Sequence, residues 1–313
     1  MTEPELTLFD VDRSASSLLR NRYLEPPFSV LDRRAGAWIA RDRAWASLGI
    51  RSELGRGDGL AYNMTFQFLH SHETTDTPAT SVFSPTLCEL VYRWYSRAGD
   101  AVLDPFAGGS VRGVVASAMS RHYDGIELRP EQVSANRAQE RIGGGPTPHW
   151  YEGDARNIGT LVPPGARYDL IFSCPPYAHL ERYSDDPRDL STLPYSEFRW
   201  HYRQIIHDTV TLLRPDRFVA WMVSEVREQN GHPYVGLVYD TVKAFRDCGL
   251  TLHNDHVVLS PVGTAAARTP AQFDRSRKAG RVHDYLLVFV KGDARAAAAW
   301  CNQGAELPTQ EAA

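Results

Sequence analysis

A glycine-rich segment directly after a short apolar run constrains the fold of this chain more than any other feature. Residues 101–103 are apolar, the next seven read Asp104-Pro105-Phe106-Ala107-Gly108-Gly109-Ser110, and an apolar helical pattern follows. Glycines between a strand and a helix let the backbone approach a nucleotide-like ligand, and the helix N-terminus offers free N–H groups. The segment has neither the GxGxxG pattern of dinucleotide sites nor the lysine of a P-loop. We therefore expect a ligand loop of another type at residues 104–110.

Apolar strand patterns alternate with amphipathic helices from residue 83 onward. Strands are predicted at 101–103, 123–127, 149–154, 169–173, 217–223, 250–259 and 284–291. Helices are predicted at 36–48, 85–95, 110–120, 130–141, 196–213 and 235–248, and residues 260–281 are predicted to form a loop. The alternation predicts an α/β fold with a doubly wound, mainly parallel, Rossmann-like sheet of seven strands.

A second apolar run, Tyr168–Phe172, leads through Ser173 into Cys174-Pro175-Pro176-Tyr177. The glycine loop and this tetrapeptide resemble the two main motifs of the amino-directed DNA methyltransferases, which modify N6 of adenine or N4 of cytosine. The family's patterns are Asp-Pro-Phe-x-Gly-x-Gly/Ser and Asp/Asn/Ser-Pro-Pro-Tyr/Phe/Trp. The resemblance is strongest over residues 82–177 and implies a methyltransferase domain at 81–292. Residues 1–80 resemble the N-terminal part of phage and actinobacterial DNA methylases.

This resemblance implies S-adenosylmethionine as the cofactor. The carboxylate of Asp104 is expected to face the cationic amino group of the cofactor, Glu127 its ribose hydroxyls and Asp154 its adenine amino group. The three acids follow three consecutive predicted strands, and ligands of doubly wound sheets bind at such strand ends. Phe83-Ser84-Pro85 resembles the segment that closes over the methionine part. The complete set of predicted cofactor contacts is Phe83, Ser84, Pro85, Asp104, Pro105, Phe106, Ala107, Gly108, Gly109, Ser110, Glu127, Leu128, Asp154 and Ala155.

The resemblance also implies a catalytic role for Cys174, Pro175, Pro176 and Tyr177. An exocyclic amino group is a poor nucleophile because its lone pair is delocalised into the base. The family directs two acceptors at its N–H bonds, namely the first side chain of the motif and the carbonyl of the first proline. The prolines stiffen the loop and remove N–H donors, and the aromatic residue stacks on a base flipped out of the duplex.

Cys174 departs from the family pattern, because a thiol is a weaker acceptor than Asp, Asn or Ser. Three interpretations stay open. The thiol is a weaker acceptor beside a dominant Pro175 carbonyl, or the substrate or transferred group differs, or catalysis is lost. The corresponding alternatives to a DNA methyltransferase are an RNA methyltransferase, a transferase of another alkyl group and an inactive nucleic-acid-binding homologue.

The charge distribution favours a nucleic-acid partner only locally. The net charge is −4 and the pI is about 6.3, whereas nucleic-acid-binding proteins are often basic. Residues 268–281 are rich in cations, and Arg275, Arg277, Lys278 and Arg281 are predicted to contact DNA phosphates. A second basic stretch, 33–56, lies in the predicted N-terminal arm and helical extension (1–80), which we also expect to contact DNA.

The remaining sequence features concern the cellular compartment, possible metal or membrane contacts and the C-terminal residues. Its four cysteines have no CxxC spacing, which indicates neither a zinc site nor a disulfide framework and favours a reducing cytoplasm. The resemblance to phage and actinobacterial methylases implies the cytoplasm of a bacterial or phage-infected cell. No metal and no membrane contact is predicted. The Ala/Glu/Gln-rich residues 293–313 are predicted to be a flexible tail. Six polar residues after the tetrapeptide either line the target-base pocket or belong to an ordinary polar loop: His179, Glu181, Arg182, Tyr183, Asp185 and Asp186. Glu225, after the strand at 217–223, is a further strand-end acid with a candidate role in the site.

Overall fold

The predicted strands form one mixed sheet in the computed structural model, which describes residues 23–51, 54–55, 83–178, 183–228, 233–263 and 265–303. Within these residues the strands are β1 (Val30–Asp32), β2 (Ala101–Asp104), β3 (His122–Glu127), β4 (His149–Glu152), β5 (Tyr168–Ser173), β6 (Leu213–Val223), β7 (Thr251–Leu259) and β8 (His283–Lys291). Their order is β1-β7-β8-β6-β5-β2-β3-β4. Strand β8 is antiparallel to both neighbours, and the other described pairs are parallel.

The doubly wound α/β prediction is confirmed, but the predicted number of seven strands is wrong. The eighth strand is β1, which pairs with the sheet edge at β7. A strand of three residues is too short to show a recognisable alternating pattern in the sequence. The N-terminal extension therefore adds a strand to the sheet.

Most predicted helices are confirmed, with bounds shifted by a few residues. The described helices are α1 (Gly36–Ala46), α2 (Pro85–Tyr95), α3 (Val111–Ala118), α4 (Pro130–Arg137), α5 (Ile158–Leu161), α6 (Tyr195–Leu212), α7 (Leu237–Asp247), α8 (Ala265–Ser276) and α9 (Ala294–Asn302). Two of them correct the sequence reading. Helix α8 occupies the segment predicted as a loop and contains Pro270, a residue that normally indicates a helix end. Helix α9 occupies part of the predicted flexible tail, and its Ala297 is buried.

Two apolar clusters, one on each face of the sheet, form the core. One cluster contains residues of α1, α2, α3 and α9, and the other contains residues of α5, α6 and α7. Helices cover the central strands on both faces of the sheet, which explains why these strands read as nearly continuous apolar runs. Strand β5, for example, is buried at all six positions.

The strand order reverses between β2 and β5. The chain proceeds outward from β2 to β3 and β4 on one side, and from β5 to β6 on the other. Leu103 of β2 is in register with Ile171 of β5, so the two strands end side by side. Ligands of doubly wound sheets bind beyond the carboxyl ends of the strands at such a switch point. The glycine loop and the tetrapeptide both start there.

Candidate active site

Asp104, the last residue of β2, lies at the centre of a buried polar network. Its side chain has no exposed surface and forms an ion pair with Arg112 of α3, with Nε and Oδ2 2.5 Å apart. The hydroxyls of Tyr123 and Ser173 donate to the two carboxylate oxygens, at 2.7 and 2.5 Å. The backbone N–H of Phe106 donates to Oδ1 at 3.1 Å. The acid is therefore satisfied by protein groups.

This network gives Asp104 a structural role within the protein, because Arg112 already neutralises its charge. Its predicted contact with the cationic end of the cofactor stays a prediction. Burial is the largest single influence on the pKa of Arg112 and lowers it, but the charge and hydrogen bond of Asp104, together with Tyr123 and Cys174, outweigh burial and hold that pKa above its ordinary value. Asp104 thus anchors the glycine loop at the end of β2. Ser173 precedes the tetrapeptide, so its hydroxyl bond to Asp104 also ties the two motifs together.

The glycine loop has the shape of a ligand cradle. Gly108 has φ +52°, and a Cβ placed there meets no atom within 4 Å. Such a conformation favours glycine, and the open space leaves its backbone approachable. The side-chain amide of Asn136 donates to the Gly108 carbonyl at 2.7 Å, which holds the loop open. Ser110, just before α3, is fully buried and its hydroxyl has no hydrogen-bond partner among the described residues.

The remaining predicted loop residues support this arrangement. Ala107 is buried, and its N–H donates to the Ile126 carbonyl of β3 at 2.8 Å. The ring of Phe106 meets Trp221 edge-on, with ring centroids 6.0 Å apart. Pro105 is also buried, and Gly109 is half-buried. The loop is therefore packed on its inner side.

Glu127, at the end of β3, has spare hydrogen-bonding capacity. Its carboxylate accepts the Arg129 N–H at 2.9 Å and lies 3.5 Å from the Arg129 guanidinium. Burial raises the pKa of Glu127 above its ordinary value, although the charge and N–H of Arg129 and the N–H of Gly108 act in the opposite direction. The contact with Gly108 places the acid beside the glycine loop. Leu128, next along, is half-buried.

Asp154, the third predicted acid, is engaged by its neighbours. It caps a 3₁₀ turn at Ala155–Asn157 by accepting the Arg156 N–H at 2.9 Å, and it forms an ion pair with the Arg156 guanidinium at 2.5 Å. Within the chain, Asp154 therefore acts as the cap of this turn. Ala155 is buried.

The predicted closing segment, Phe83-Ser84-Pro85, is attached to the N-terminal helix α1. Ser84 caps α2, donates to Asp42 Oδ1 at 2.8 Å and accepts from the indole of Trp38 at 3.1 Å. The Phe83 ring lies under the Arg112 guanidinium, 4.7 Å from its central carbon, and Pro85 is buried at the first position of α2. The segment is therefore fixed to both α1 and the Asp104 network.

Glu89 makes a second connection between α1 and α2. This carboxylate is almost fully buried and accepts from Arg41 at 2.6 Å and from the Trp45 indole at 2.7 Å. The basic stretch 33–56 is consequently not a uniform solvated face. Arg41 is used within the protein, and Arg34 forms an ion pair with Asp32.

The tetrapeptide follows β5 and lies partly buried. Cys174 and Tyr177 are half-buried, and Cys174 Sγ lies 3.4 Å from the Tyr177 hydroxyl. Burial raises the pKa of Tyr177 well above its ordinary value, so the phenol stays protonated. Pro175 is buried and Pro176 is half-buried. Ala178 then adopts φ +49°, a conformation that costs a non-glycine residue energy and often occurs at functional sites.

The other candidates for the base pocket divide into three groups. His179, Glu181 and Arg182 lie outside the described residues. Glu225 caps α7 by accepting the N–H groups of Gly236 and Leu237 at 3.0 and 2.8 Å, so its role is structural. Tyr183, Asp185 and Asp186 are described, and Arg188 lowers the pKa of Asp186 to about 2 through a hydrogen-bonded ion pair.

The four cations that are predicted to bind DNA differ in their exposure and in their contacts. Arg275 and Arg277 are exposed at the end of α8, and Arg277 lies 3.6 Å from Asp274. Lys278 is half-buried. Arg281, by contrast, donates to Ser224 at 2.9 Å beside the end of β6. Among the described residues there is no cluster of three or more possible metal ligands, and no described helix is long and apolar enough to span a membrane.

Sequence reasoning missed the residues that surround Asp104, chiefly Arg112 and Tyr123. One signal for Arg112 was available, because a single arginine interrupts the apolar helix start Val111–Val115. A cation on an apolar helix face needs a buried partner. The sequence does not show which acid supplies it, since the partner lies on a different strand.

Comparison with known proteins supports the motif interpretation. Residues 36–138 match the family model of a DNA methylase. The match starts with α1 and includes the glycine loop and Glu127, so the resemblance to the amino-directed DNA methyltransferases is confirmed over this part of the chain. No curated protein matches the chain.

Several solved methyltransferase structures show similarity at low sequence identity. TrmN from Thermus thermophilus is 17% identical with a TM-score of 0.45, over 67% of this chain and 49% of that chain. A methyltransferase from Pyrococcus furiosus is 15% identical with a TM-score of 0.45, over 70% and 88%. Magnesium protoporphyrin IX methyltransferase from Synechocystis PCC 6803, solved with bound SAM, is 12% identical with a TM-score of 0.40, over 62% and 71%. The chain spans about half the length of TrmN.

Proposed function

We propose that this chain is an S-adenosylmethionine-dependent DNA methyltransferase that modifies an exocyclic amino nitrogen of adenine or cytosine in a flipped base. The observation that carries the proposal is the pairing of two motifs at one switch point. The glycine loop and the tetrapeptide leave adjacent strands, and the hydroxyl of Ser173 bonds to Asp104 between them. The DNA methylase match over residues 36–138 supports the same assignment.

The residues of the loop fit S-adenosylmethionine. Gly108 leaves open space beside its backbone, and Ser110 has a buried hydroxyl without a partner. An unpaired buried hydroxyl is costly, so a ligand acceptor or donor there is favourable. Glu127 would accept the ribose hydroxyls, because its buried carboxylate has few protein donors. Thr86, next to the closing segment, is a second buried hydroxyl without a partner among the described residues. The bound cofactor would supply an activated methyl group.

The tetrapeptide would orient the target amino group. The Pro175 carbonyl and Cys174 Sγ are the two acceptors that the motif offers to its N–H bonds. The nitrogen forms the new N–C bond as the donor's C–S bond breaks. One N–H proton then leaves to water, since neither a protonated thiol nor a carbonyl is a strong base. Tyr177 would stack on the base.

The contact between Cys174 and Tyr177 bears on the departure from the family pattern. Cys174 Sγ and the Tyr177 hydroxyl lie 3.4 Å apart, and either group can be the donor. The Pro175 carbonyl is therefore the stronger of the two acceptors that the motif offers. This division of roles is the basis on which we expect the chain to retain activity despite the cysteine.

Methyl transfer from tritiated S-adenosylmethionine tests this function. We expect label in unmethylated duplex DNA and no more than background in RNA of similar length. The control is Tyr177→Ala, which should bind the cofactor in calorimetry and transfer little label. Label in RNA alone would replace the DNA assignment by RNA methylation. Cofactor binding without transfer to either would indicate an inactive homologue.

A further inference from the structure

Arg281 lies at the same end of the sheet as the tetrapeptide, where the parallel strands have their carboxyl ends. Because β8 is antiparallel, it begins where the parallel strands end, and its Tyr285 is in register with Val223 of β6. Ser173 of β5 is in register with Trp221 of the same strand. Adjacent strands are about 4.8 Å apart, so β8 starts on the order of 10 Å from the end of β5. That separation is comparable to the size of one nucleotide.

The guanidinium of Arg281 is held in a fixed position. Its Nε donates to the hydroxyl of Ser224, which is almost fully buried, at 2.9 Å. Its central carbon lies 5.6 Å from the ring centroid of Tyr285 and 5.8 Å from that of Tyr234. Two aromatic rings and one hydroxyl thus orient the group without neutralising it.

One nitrogen of this guanidinium has no partner in the part of the chain that the structure describes. Nη2 of Arg281 is buried and makes no hydrogen bond to any described residue. Within the described part of the chain, Arg281 also has no carboxylate within ion-pair distance, whereas the buried Arg112 and Arg217 pair with Asp104 and Asp169. A buried charged donor without an acceptor is costly. Its position at a ligand-binding edge indicates that the acceptor belongs to a ligand.

We propose that Arg281, Ser224, Tyr234 and Tyr285 form a subsite for an acceptor oxygen of the target nucleotide. The oxygen belongs either to a phosphate beside the flipped nucleotide or, when the base is cytosine, to its C2 carbonyl. This inference rests on the proposed function and adds a specificity residue to it. It also gives Arg281 a role different from that of Arg275 and Arg277, which are exposed surface cations.

The test compares Arg281→Met, Arg281→Lys and the control Arg203→Met. Arg203 is an exposed arginine of α6 that pairs with Asp247, away from the site. The first measurement is thermal unfolding in inorganic phosphate against chloride at matched ionic strength. Phosphate stabilises proteins generally, so only the difference between variants is informative. The second is methyl transfer to unmethylated duplex DNA, and the third is the salt dependence of duplex binding.

Two results support the subsite and identify its oxygen. If the oxygen is a phosphate, Arg281→Met loses part of the phosphate stabilisation seen with Arg203→Met. It also transfers methyl groups at least tenfold more slowly, and its salt slope falls by about 0.9. If the oxygen is a base carbonyl, transfer falls by the same factor while the phosphate response and the salt slope stay those of Arg203→Met. Arg281→Lys should restore more of the loss seen in Arg281→Met when the oxygen is a phosphate than when it is a base carbonyl. Lysine keeps the positive charge but lacks the planar fork of the guanidinium.

Other results overturn this inference or the function separately. If Arg281→Met behaves as Arg203→Met in all three measurements, the subsite does not exist. If the wild-type protein transfers no methyl group to DNA but Arg281→Met alone loses phosphate stabilisation, the proposed function fails and the anion subsite stands. If wild-type transfer and the phosphate difference are both absent, both proposals fail. Unchanged cofactor affinity in Arg281→Met shows that the variant is folded.

Discussion

Two charged groups of the candidate site, Asp104 and Arg281, differ in how the protein satisfies them. On the cofactor side, Asp104 has four hydrogen-bonding partners and no exposed surface. On the target side, Cys174 offers a weak acceptor, and Nη2 of Arg281 is buried without a partner among the described residues. The acid that anchors the glycine loop is therefore satisfied within the protein, whereas the buried donor of Arg281 is favourable only when a ligand supplies an acceptor. Under the proposed function, the anchor of the cofactor loop is in place before the cofactor binds, and the target nucleotide completes the site around Arg281.

The largest effect should come from Asp104. Asp104→Ala leaves the buried Arg112 guanidinium unpaired, and breaking a buried ion pair in this way costs about 3–5 kcal/mol. Asp32 is the matched control, because it also ends a strand and pairs with an arginine, but both partners are about 40% exposed. Urea unfolding should show a large loss for Asp104→Ala and a small fraction of it for Asp32→Ala. Similar losses would mean that the loop is not fixed by its buried pair.

Tyr177 should give the next largest effect, on the target side. Base stacking contributes about 1–3 kcal/mol, so Tyr177→Ala should lower kcat/KM for duplex DNA by up to about 100-fold. Tyr177→Phe keeps the ring and loses the contact with Cys174, and should cost less than tenfold. Calorimetry should show unchanged cofactor binding in both. A loss of cofactor affinity in Tyr177→Ala would contradict the division into two independent sides.

Glu127 should show opposite effects on stability and on binding. Its raised pKa means that the charged carboxylate destabilises the folded protein at neutral pH, and this penalty disappears as the pH falls through the raised pKa towards the ordinary value of 4.5. Glu127→Gln should therefore raise the melting temperature of the cofactor-free protein at pH 7, by an amount that shrinks on acidification. The same variant should bind S-adenosylmethionine about tenfold more weakly. Equal affinity for the two proteins would remove Glu127 from the cofactor site.

The smallest effect should come from the cations of residues 275–278. Replacing Arg275, Arg277 and Lys278 by glutamine should weaken binding to random duplex DNA several-fold at physiological salt and flatten the salt slope. Cofactor affinity and kcat at saturating DNA should not change, because contacts to phosphates affect the encounter with DNA and not the chemical step. Filter binding at several salt concentrations measures the slope. An unaltered slope would show that α8 does not contact the phosphates.

The sequence predicted the elements that depend on local pattern. The apolar runs before Asp104 and Ser173 correspond to β2 and β5, and Pro85 begins α2 as expected of a first-turn proline. Features that depend on tertiary contacts were not predictable. The pairing of Asp104 with Arg112, and the attachment of Ser84 to Asp42, join segments whose proximity only the folded chain establishes. Helix α8 was missed because Pro270 disfavours a helix locally.

Arg281 shows the same limit within the candidate site. As one of several cations in residues 268–281, it was predicted to contact DNA phosphates. The antiparallel start of β8 instead places it beside Ser224 and two aromatic rings. The charge of Arg281 can be read from the sequence. Its proposed role depends on a buried nitrogen without a partner among the described residues, and this feature follows only from the fold.

The position of the transferred methyl group tests the central claim most directly. The wild-type protein is incubated with labelled S-adenosylmethionine and unmethylated genomic DNA, and the digested nucleosides are separated by mass spectrometry. The account predicts label in N6-methyladenine or N4-methylcytosine, with Cys174→Ser retaining activity because a hydroxyl accepts hydrogen bonds at least as well as a thiol. Label in 5-methylcytosine, together with an inactive Cys174→Ser and a trapped Cys174–pyrimidine adduct, would contradict amino-group methylation and indicate a nucleophilic cysteine.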